Sequence, residues 1–263
     1  MNTIIYNLLQ VMSSVIVIPA RYDSTRFPGK PLALLKGKPV IQHVYENARK
    51  ARSADDVMVA TDSKAIFEEV LSFGGKAVMT SRGHASGTDR IAEVARSLAC
   101  DIIVNVQADE PLIRPDMIDD AVALLSDGRA DIGTLVKKVL DPAEVTDPNV
   151  VKAVFGEDGF ALYFSRAPIP YHRDGWKDLD RFGVQHSTFN IFKHIGIYSY
   201  RRDVLMKLTG MKPSRLEEAE RLEQLRALEN GFRIKVKETL SETIGVDTPQ
   251  DLERVEKWLS LSS

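Results

Sequence analysis

The sequence predicts an α/β fold: a mostly parallel central sheet flanked by helices. Three observations predict it. Short apolar runs rich in β-branched residues recur at Val15–Pro19, Asp56–Ala60 and Asp101–Val106. Segments with helical spacing separate them. Capping residues and glycines punctuate the boundaries. Continuous apolar runs are the mark of strands buried on both faces, and their alternation with helices is the mark of βαβ units.

In order along the chain, Val15–Pro19 reads as the first strand and Arg21–Pro31 as a polar loop with Pro and Gly. Val40–Arg52 carries Ile41, Val44, Tyr45 and Ala48 at helical spacing. Asp56–Ala60 is a second strand. Thr61, Asp62 and Ser63 can cap a helix over Lys64–Phe73, which Gly74 and Gly75 end. Lys76–Met79 is a short strand, Ser81–Gly87 a loop and Thr88–Ala99 a helix. Asp101–Val106 is the strongest strand, with Gln107–Pro111 at its carboxyl end. Pro115–Ser126 is a helix and Ile132–Lys138 a strand.

The rhythm then changes. Val151–Phe155 and Phe160–Phe164 flank a Gly156–Gly159 turn and read as a hairpin. His172–Phe192 has no clear period and reads as a long excursion. Ile195–Tyr200 is a strand, Arg215–Asn230 a helix stopped by Gly231, and Phe232–Lys237 a strand. Thr248 is the expected N-cap of a final helix with Pro249 at its first position. Right-handed crossovers would place helices on both faces of the sheet, and ligands would bind outside the carboxyl ends of its strands. The loops after Pro19, Met79 and Val106 all open there.

The chain has 263 residues, with 35 Lys and Arg against 37 Asp and Glu, and a formal net charge of −2. One α/β domain can fill that length. At 44% hydrophobic and 27% charged it has the apolar material for a core, which excludes general disorder. Near-neutral charge argues against a nucleic-acid partner. No stretch approaches the ~18 apolar residues of a membrane span, so no membrane partner is expected. The single cysteine, Cys100, excludes a disulfide framework, is read as inert packing, and fits a cytoplasmic setting. Residues Met1–Ser14 lack the basic start and cleavage pattern of a signal peptide. They are either an extra turn of helix or the product of a start upstream of Met12. Strong patterning from Val15 favours the second.

The chemistry-bearing residues cluster at the expected edge. The first loop holds Arg21, Ser24, Arg26, Gly29 and Lys30. Three cations, a hydroxyl and a glycine at a strand's carboxyl end suit a polyphosphate, and a solvated basic loop is the alternative. Asp109 and Glu110 follow the strongest strand; a carboxylate there can hold Mg²⁺ or cap a helix. Asp247 stands at another loop–helix junction, with helix capping as its simpler role. His194 and Tyr198 share one side of an extended chain, although an isolated His is more often structural. Arg166 precedes the rigid Pro168-Ile169-Pro170. Glu220, Glu223 and Gln224 lie on a helical run whose simpler role is a salt-bridged solvent face.

Taken together these motifs resemble a known family. IPARYDSTRFPGKPL, HASGTDR, VNVQADEP, ALYFSRAPIPY, KHIGIY, LEQLR and GVDTPQDLE occur in the order found in 3-deoxy-manno-octulosonate cytidylyltransferases, over about residues 14 to 257. Two departures are visible: Ala108 stands where the family commonly has glycine, and His172–Phe192 does not align. The second leaves the sugar acid open between 3-deoxy-manno-octulosonate (Kdo) and a variant such as 8-amino-Kdo.

The resemblance implies a nucleotidyltransferase-like domain over residues 14–263 behind an extension at 1–13. Residues 14–140 would be mainly nucleotide-binding, 141–245 mainly sugar-binding and dimer-forming, and 246–263 the metal-site loop and last helix. It implies transfer of CMP from CTP to the anomeric hydroxyl of Kdo, with release of pyrophosphate, for lipopolysaccharide biosynthesis, by a cytoplasmic homodimer. Arg21, Ser24, Arg26, Lys30, Ser86, Gly87, Thr88, Arg90 and Gln107 would bind the nucleotide. Asp109 and Asp247 would bind Mg²⁺ and, with Lys30 and Arg21, carry catalysis. Arg166, His194, Tyr198, Glu223 and Gln224 would form the sugar pocket. A two-metal arrangement would acidify the attacking hydroxyl and stabilise pyrophosphate, which accounts for the lack of an obvious general base. The rivals are another cytidylyl- or uridylyltransferase, which would lack FSRAPIPY and HIGIY, and a non-catalytic sugar- or nucleotide-binding protein, which would not need both aspartates.

Overall fold

Strand-forming apolar runs build the centre of the molecule, and their side-chain alternation splits its core in two. The computed structural model describes residues 12–23, 26–171, 173 and 190–261. Ser24, residues 1–11 and nearly all of the excursion expected over His172–Phe192 lie outside the described residues. The strands are β1 (Ser14–Ala20), β2 (Leu34–Leu35), β3 (Lys38–Pro39), β4 (Asp56–Thr61), β5 (Ala77–Met79), β6 (Ile102–Asn105), β7 (Ile132–Lys138), β8 (Lys152–Phe155), β9 (Ala161–Ser165), β10 (Phe192–Arg201) and β11 (Ile234–Glu238). The helices are α1 (Val40–Ala48), α2 (Lys64–Ser72), α3 (Gly87–Ala95), α4 (Pro115–Ala123), α5 (Pro142–Thr146), α6 (Arg202–Thr209), α7 (Arg215–Glu220), α8 (Gln224–Glu229) and α9 (Pro249–Leu261).

The main sheet runs in the order β11-β7-β10-β6-β1-β4-β5, with β8 joined to β10 and β9 to β8. β1 is parallel to both β4 and β6, β4 to β5, and β11 to β7. β10 enters antiparallel between β6 and β7. In β1, Ile16 and Ile18 face one way, onto Ile41 and Val44 of α1, Ile66 of α2 and Met117 of α4. Val15 and Val17 face the other way, with Ile91 of α3, Leu205 of α6 and Leu225 of α8. This is the period-two alternation of a strand covered on both faces. Each fully buried Ile or Val side chain contributes roughly 1.5–3 kcal/mol.

Two local expectations are corrected. The helix expected over Arg215–Asn230 is two helices, because Arg221 takes a left-handed conformation (φ 55°) at the end of α7. The helices α5 and α6 and the small β2–β3 ladder were not foreseen from the sequence. Thr248 does cap α9: it exchanges hydrogen bonds with Asp251, whose amide donates to the Thr248 hydroxyl at 3.2 Å while that hydroxyl donates to Oδ2 at 2.8 Å.

Gly133 shows how tightly α4 lies on the sheet. A Cβ there would stand 2.5 Å from Ser199 Oγ and 2.7 Å from the Ala121 carbonyl oxygen. Ser199 Oγ itself donates to that carbonyl at 2.5 Å. Neither neighbour is the free end of a flexible chain. Gly133→Ala should therefore lower unfolding stability by about 1–3 kcal/mol, as overpacked core sites do. Gly83→Ala, whose nearest neighbour would be 3.5 Å away, should change the urea midpoint little. Equal midpoints for the two variants would show that α4 can shift without penalty.

Candidate active site

The carboxyl ends of the parallel strands and the start of β10 share one edge, and the loops leaving them meet there. After β1, Gly29 adopts a positive φ of 72° and its amide donates to the Tyr22 carbonyl at 2.8 Å. That conformation is cheap only for glycine. It turns the chain into a short 3₁₀ segment, Lys30–Leu32, and aims Lys30 back at the sheet. Lys30 Nζ donates to Asp109 Oδ2, in the loop after β6, and to Asp247 Oδ1 at 2.9 Å, just before α9. Arg26 donates to the other Asp247 oxygen at 2.8 Å. The two carboxylates are thus no more than two hydrogen-bond lengths apart. Neither is used as a helix cap, so the capping roles the sequence left open do not describe their side chains. Val246 N–H donates to the Asp109 carbonyl at 2.8 Å, which joins the two segments through their backbones as well.

The electrostatics follow from this geometry. Burial opposes the charge on Lys30, but Asp109 and Asp247 outweigh it and hold its pKa above the ordinary lysine value. Burial likewise pushes Asp247 up, and Lys30 and Arg26 reverse the sign and leave it low. Glu110 goes the opposite way. Burial first, then Asp109 and Asp247, raise its carboxyl to about 8, and its Oε2 has no hydrogen-bond partner.

A cleft of about 380 Å³ opens over this cluster, lined by Pro19, Arg21, Arg26, Lys30, His84, Ser86, Gly87, Arg90, Gln107 and both aspartates. Ser86 begins α3 with a capping box shared with Asp89. The amino end of α3 faces the cleft and suits an anion. Arg21 is exposed on the cleft wall. Arg90 is 4% exposed and its guanidinium is already engaged: it donates to Thr80, to the Ser81 carbonyl and to Asp62. It holds the loop before α3 rather than offering a free cation. His84, which the sequence reading did not single out, lines the same cleft and pairs with Glu93. A lone histidine in a loop carried no signal beyond the HASGTDR string. Ala108 avoids positive φ, so the replaced glycine loses no conformation the turn requires.

A second cavity of about 180 Å³ adjoins the first and shares Gly87 and Gln107 with it. Thr88, Asn105, Tyr198, Tyr200, Glu223 and Gln224 complete it. Glu223 accepts hydrogen bonds from Thr88 and Ser86, yet burial keeps its pKa above the ordinary glutamate value. Glu223 and Gln224 therefore face a cavity and not open solvent. Glu220 does something else: it accepts from Ser165 Oγ at 2.6 Å and from the Arg166 amide at 2.9 Å.

Two residues expected in the sugar pocket, Arg166 and His194, do not line the second cavity. The Arg166 guanidinium donates to three carbonyls: Glu220 at 2.7 Å, Pro148 at 2.8 Å and Arg221 at 3.3 Å. It closes the α7–α8 corner, whose carbonyls need donors once the helix breaks. His194 lies behind Tyr198, at 5.1 Å between ring centroids, with Phe164 edge-on at 5.2 Å. The strand register slips between Ile195 and Tyr198, and Thr134 fills the slip. Its hydroxyl donates to the Ile197 carbonyl at 2.6 Å, which leaves it to accept from His194 Nε2 at 2.9 Å.

The donor set between Asp109 and Asp247 is all oxygen, which suits a hard divalent cation that shares its remaining positions with phosphate and water. Among the described residues no group of three or more His, Cys, Asp or Glu is arranged to hold a metal by itself.

Known proteins resemble this chain along nearly its whole length. The profile of the cytidylyltransferase family matches residues 15–239. A 3-deoxy-manno-octulosonate cytidylyltransferase from Geobacter sulfurreducens is 54% identical over 245 residues, covering 93% of this chain and 98% of that protein. A solved CMP:2-keto-3-deoxy-manno-octonic acid synthetase, complexed with CTP, superposes with a TM-score of 0.87 at 43% identity, covering 95% of this chain and all of that one. At 10% identity, a 4-diphosphocytidyl-2C-methyl-D-erythritol synthase from Anaerococcus prevotii shares the fold, with a TM-score of 0.61 over 95% of this chain and 99% of that one. The chain that arranges these loops belongs to the cytidylyltransferase family and, within it, to the 3-deoxy-manno-octulosonate cytidylyltransferases.

Proposed function

We propose that this chain transfers CMP from CTP to the anomeric hydroxyl of Kdo, releasing pyrophosphate, and so supplies activated Kdo for lipopolysaccharide biosynthesis. One observation carries the reading. A basic cleft and a hydroxyl-rich cavity meet at Gly87 and Gln107, beside the Lys30–Asp109–Asp247 cluster. A triphosphate and a polyhydroxylated acid placed in adjoining cavities bring a nucleophile and a phosphorus together, and such a reaction needs positioning and charge neutralisation above all.

Arg21, Arg26 and Lys30 neutralise the triphosphate, and the amino end of α3 adds its backbone donors. Tyr198, Tyr200, Glu223 and Gln224 hold the sugar by hydrogen bonds. Arg166 and His194 act on this subsite from behind, through the α7–α8 corner and through Tyr198. The anomeric oxygen closes on the α-phosphorus as its proton passes to solvent water. The bond to the bridging oxygen of pyrophosphate breaks on the opposite side. Asp109 and Asp247 would hold Mg²⁺, which supplies charge neutralisation at the phosphates and acidity to a hydroxyl near it. The chain works as a cytoplasmic homodimer formed through residues 141–245. No helix among the described residues is long and apolar enough to cross a membrane. β9 pairs only with β8 among the described strands and exposes Leu162, which suits a subunit contact.

A pyrophosphate-release assay with CTP, Mg²⁺ and Kdo, each left out in turn, tests the reading. Release in the absence of Kdo, or equal rates with unrelated sugar acids, would overturn it. Activity with 8-amino-Kdo alone would move the sugar assignment and leave the reaction class intact. Asp109→Asn and Asp247→Asn keep side-chain volume and remove charge. Each should depress turnover by about 10²-fold or more, the scale of losing one preorganised charge contact, while thermal midpoints stay near wild type. Near-normal turnover in Asp247→Asn would return that residue to a loop-packing role.

His194 gives a pH prediction. Burial lowers its pKa to about 3, so the ring is neutral at working pH. Its folded pKa lies below the ordinary 6.5, so the stability tied to its neutral form is complete above pH 6.5 and is lost as pH falls from there towards 3. Between pH 6 and 8 the KM for Kdo should therefore show no histidine step. A step near pH 6.5 that disappears in His194→Gln would contradict the buried, neutral ring.

A further inference from the structure

The segment that delivers Asp247 has to cross the sheet to do so. β7 and β10 separate β11 from β6. Residues 239–246 therefore span three strand spacings, about 14 Å at roughly 4.8 Å each. They form neither helix nor strand, so no ladder of hydrogen bonds fixes them. At one end the Thr239 amide donates to the Val136 carbonyl at 2.8 Å, and at the other the Val246 amide donates to the Asp109 carbonyl at 2.8 Å.

Between these ends stands one carboxylate. Glu242 Oε2 lies 2.7 Å from Lys137 Nζ, on β7, and Oε1 lies 3.5 Å from Lys193 Nζ, on β10. Lys137 also donates to the Leu240 carbonyl at 3.1 Å. The two lysine side chains are only 11% and 15% exposed, while that of Glu242 is 40% exposed, so water and salt screen these pairs in part. Lys193 has a second partner in Glu144. Among the described residues, Lys137 is ion-paired with Glu242 alone. The crossing chain is thus bolted to the two strands it passes over, midway to the site.

We propose that Glu242 is a positioning residue: by tying the crossing segment to Lys137 and Lys193, it sets where Asp247 stands against Lys30 and Asp109. The inference rests on reading Asp247 as a ligand of Mg²⁺. Glu242 touches neither cavity described above, so it acts through the backbone between residues 242 and 247. With Glu242 gone, the segment would keep its ends at Thr239 and Val246, the single Lys137–Leu240 contact, and the packing of Ile244 on the Leu35–Val246–Val255 cluster, and would lose its one ionic tie to β7 and β10.

The test uses the full chain and two readouts. Amide exchange followed by mass spectrometry over peptides spanning 239–248 reads the tether. Mn²⁺ titration of the nucleotide-free protein, followed by electron paramagnetic resonance, reads the cation site. Glu242→Ala should speed exchange within 239–248 and weaken Mn²⁺ binding about three- to tenfold, the scale of a partly screened ion pair. Exchange in β7 and β10 and the KM for Kdo should stay as in wild type. Glu242→Gln, which keeps length and an acceptor oxygen but drops the charge, should fall between. Unchanged exchange in Glu242→Ala would overturn the proposal, as would faster exchange with unchanged Mn²⁺ affinity, or faster exchange spread through β7 and β10. Asp247→Asn separates the two readings. If it binds Mn²⁺ as wild type does, the metal assignment fails and with it the effect expected on the cation, while exchange in Glu242→Ala still decides whether the tether exists.

Discussion

One ammonium group organises this site. Lys30 is 79 residues from Asp109 and 217 from Asp247 along the chain, yet it bonds both. The contact needs β1 and β6 side by side, which parallel pairing supplies. It needs the chain after β11 to return across the sheet. It also needs the turn at Gly29 to point the lysine inward. Loop-closure entropy opposes bringing three such distant segments together, and the two-faced apolar core offsets it. The polar cluster is thus a consequence of the fold and not one of its causes.

Around that cluster the protein separates groups that face the cavities from groups that hold them. Arg26, Asp109, Asp247, Tyr198 and Glu223 face inward. Arg90, Arg166 and His194 stand one step back, with their donors engaged by Asp62, by backbone carbonyls and by Thr134. A side chain fixed by its own hydrogen bonds fixes its neighbours, so preorganisation is assembled in layers. The α7–α8 corner is the clearest case. Arg221 breaks the helix, Arg166 and Glu220 satisfy the exposed chain ends, and Glu223 is thereby turned towards Thr88.

Much of this was legible in the sequence because burial leaves a period. The centres of β1, β4 and β6 (Val15–Ile18, Val57–Ala60 and Ile102–Val104) are continuous apolar runs, as strands covered on both faces require, and the polar loops after them lie at the carboxyl edge. Other features leave no period. The side chains of β10 would alternate in the same way whether the strand ran parallel or antiparallel, so its direction was hidden. Arg221 is not a glycine, and nothing in its neighbourhood announced a left-handed residue. Arg166 and His194 carry donors that the sequence shows, but a donor's partner is decided by tertiary distance. Glu242 is the one charged residue between Thr239 and Val246 and has no motif around it; only the crossing path of the chain makes it notable.

Charge balance at the cluster bears on how a triphosphate can be accepted there. Glu110, with a pKa of about 8, is mostly neutral at pH 7. Lys30 and Arg26 then face Asp109 and Asp247, two cations against two anions, and the set is self-compensated. A triphosphate adds several negative charges, and Arg21 is the one further cation on the described cleft wall that is not already paired. If Lys30 and Arg26 turn to the phosphates, they leave two carboxylates facing each other at close range, which is unfavourable in a partly buried site. A divalent cation held by those carboxylates would offset their charge and part of the charge of the phosphates. The same pairing that stabilises the cluster would therefore couple nucleotide binding to the binding of that cation.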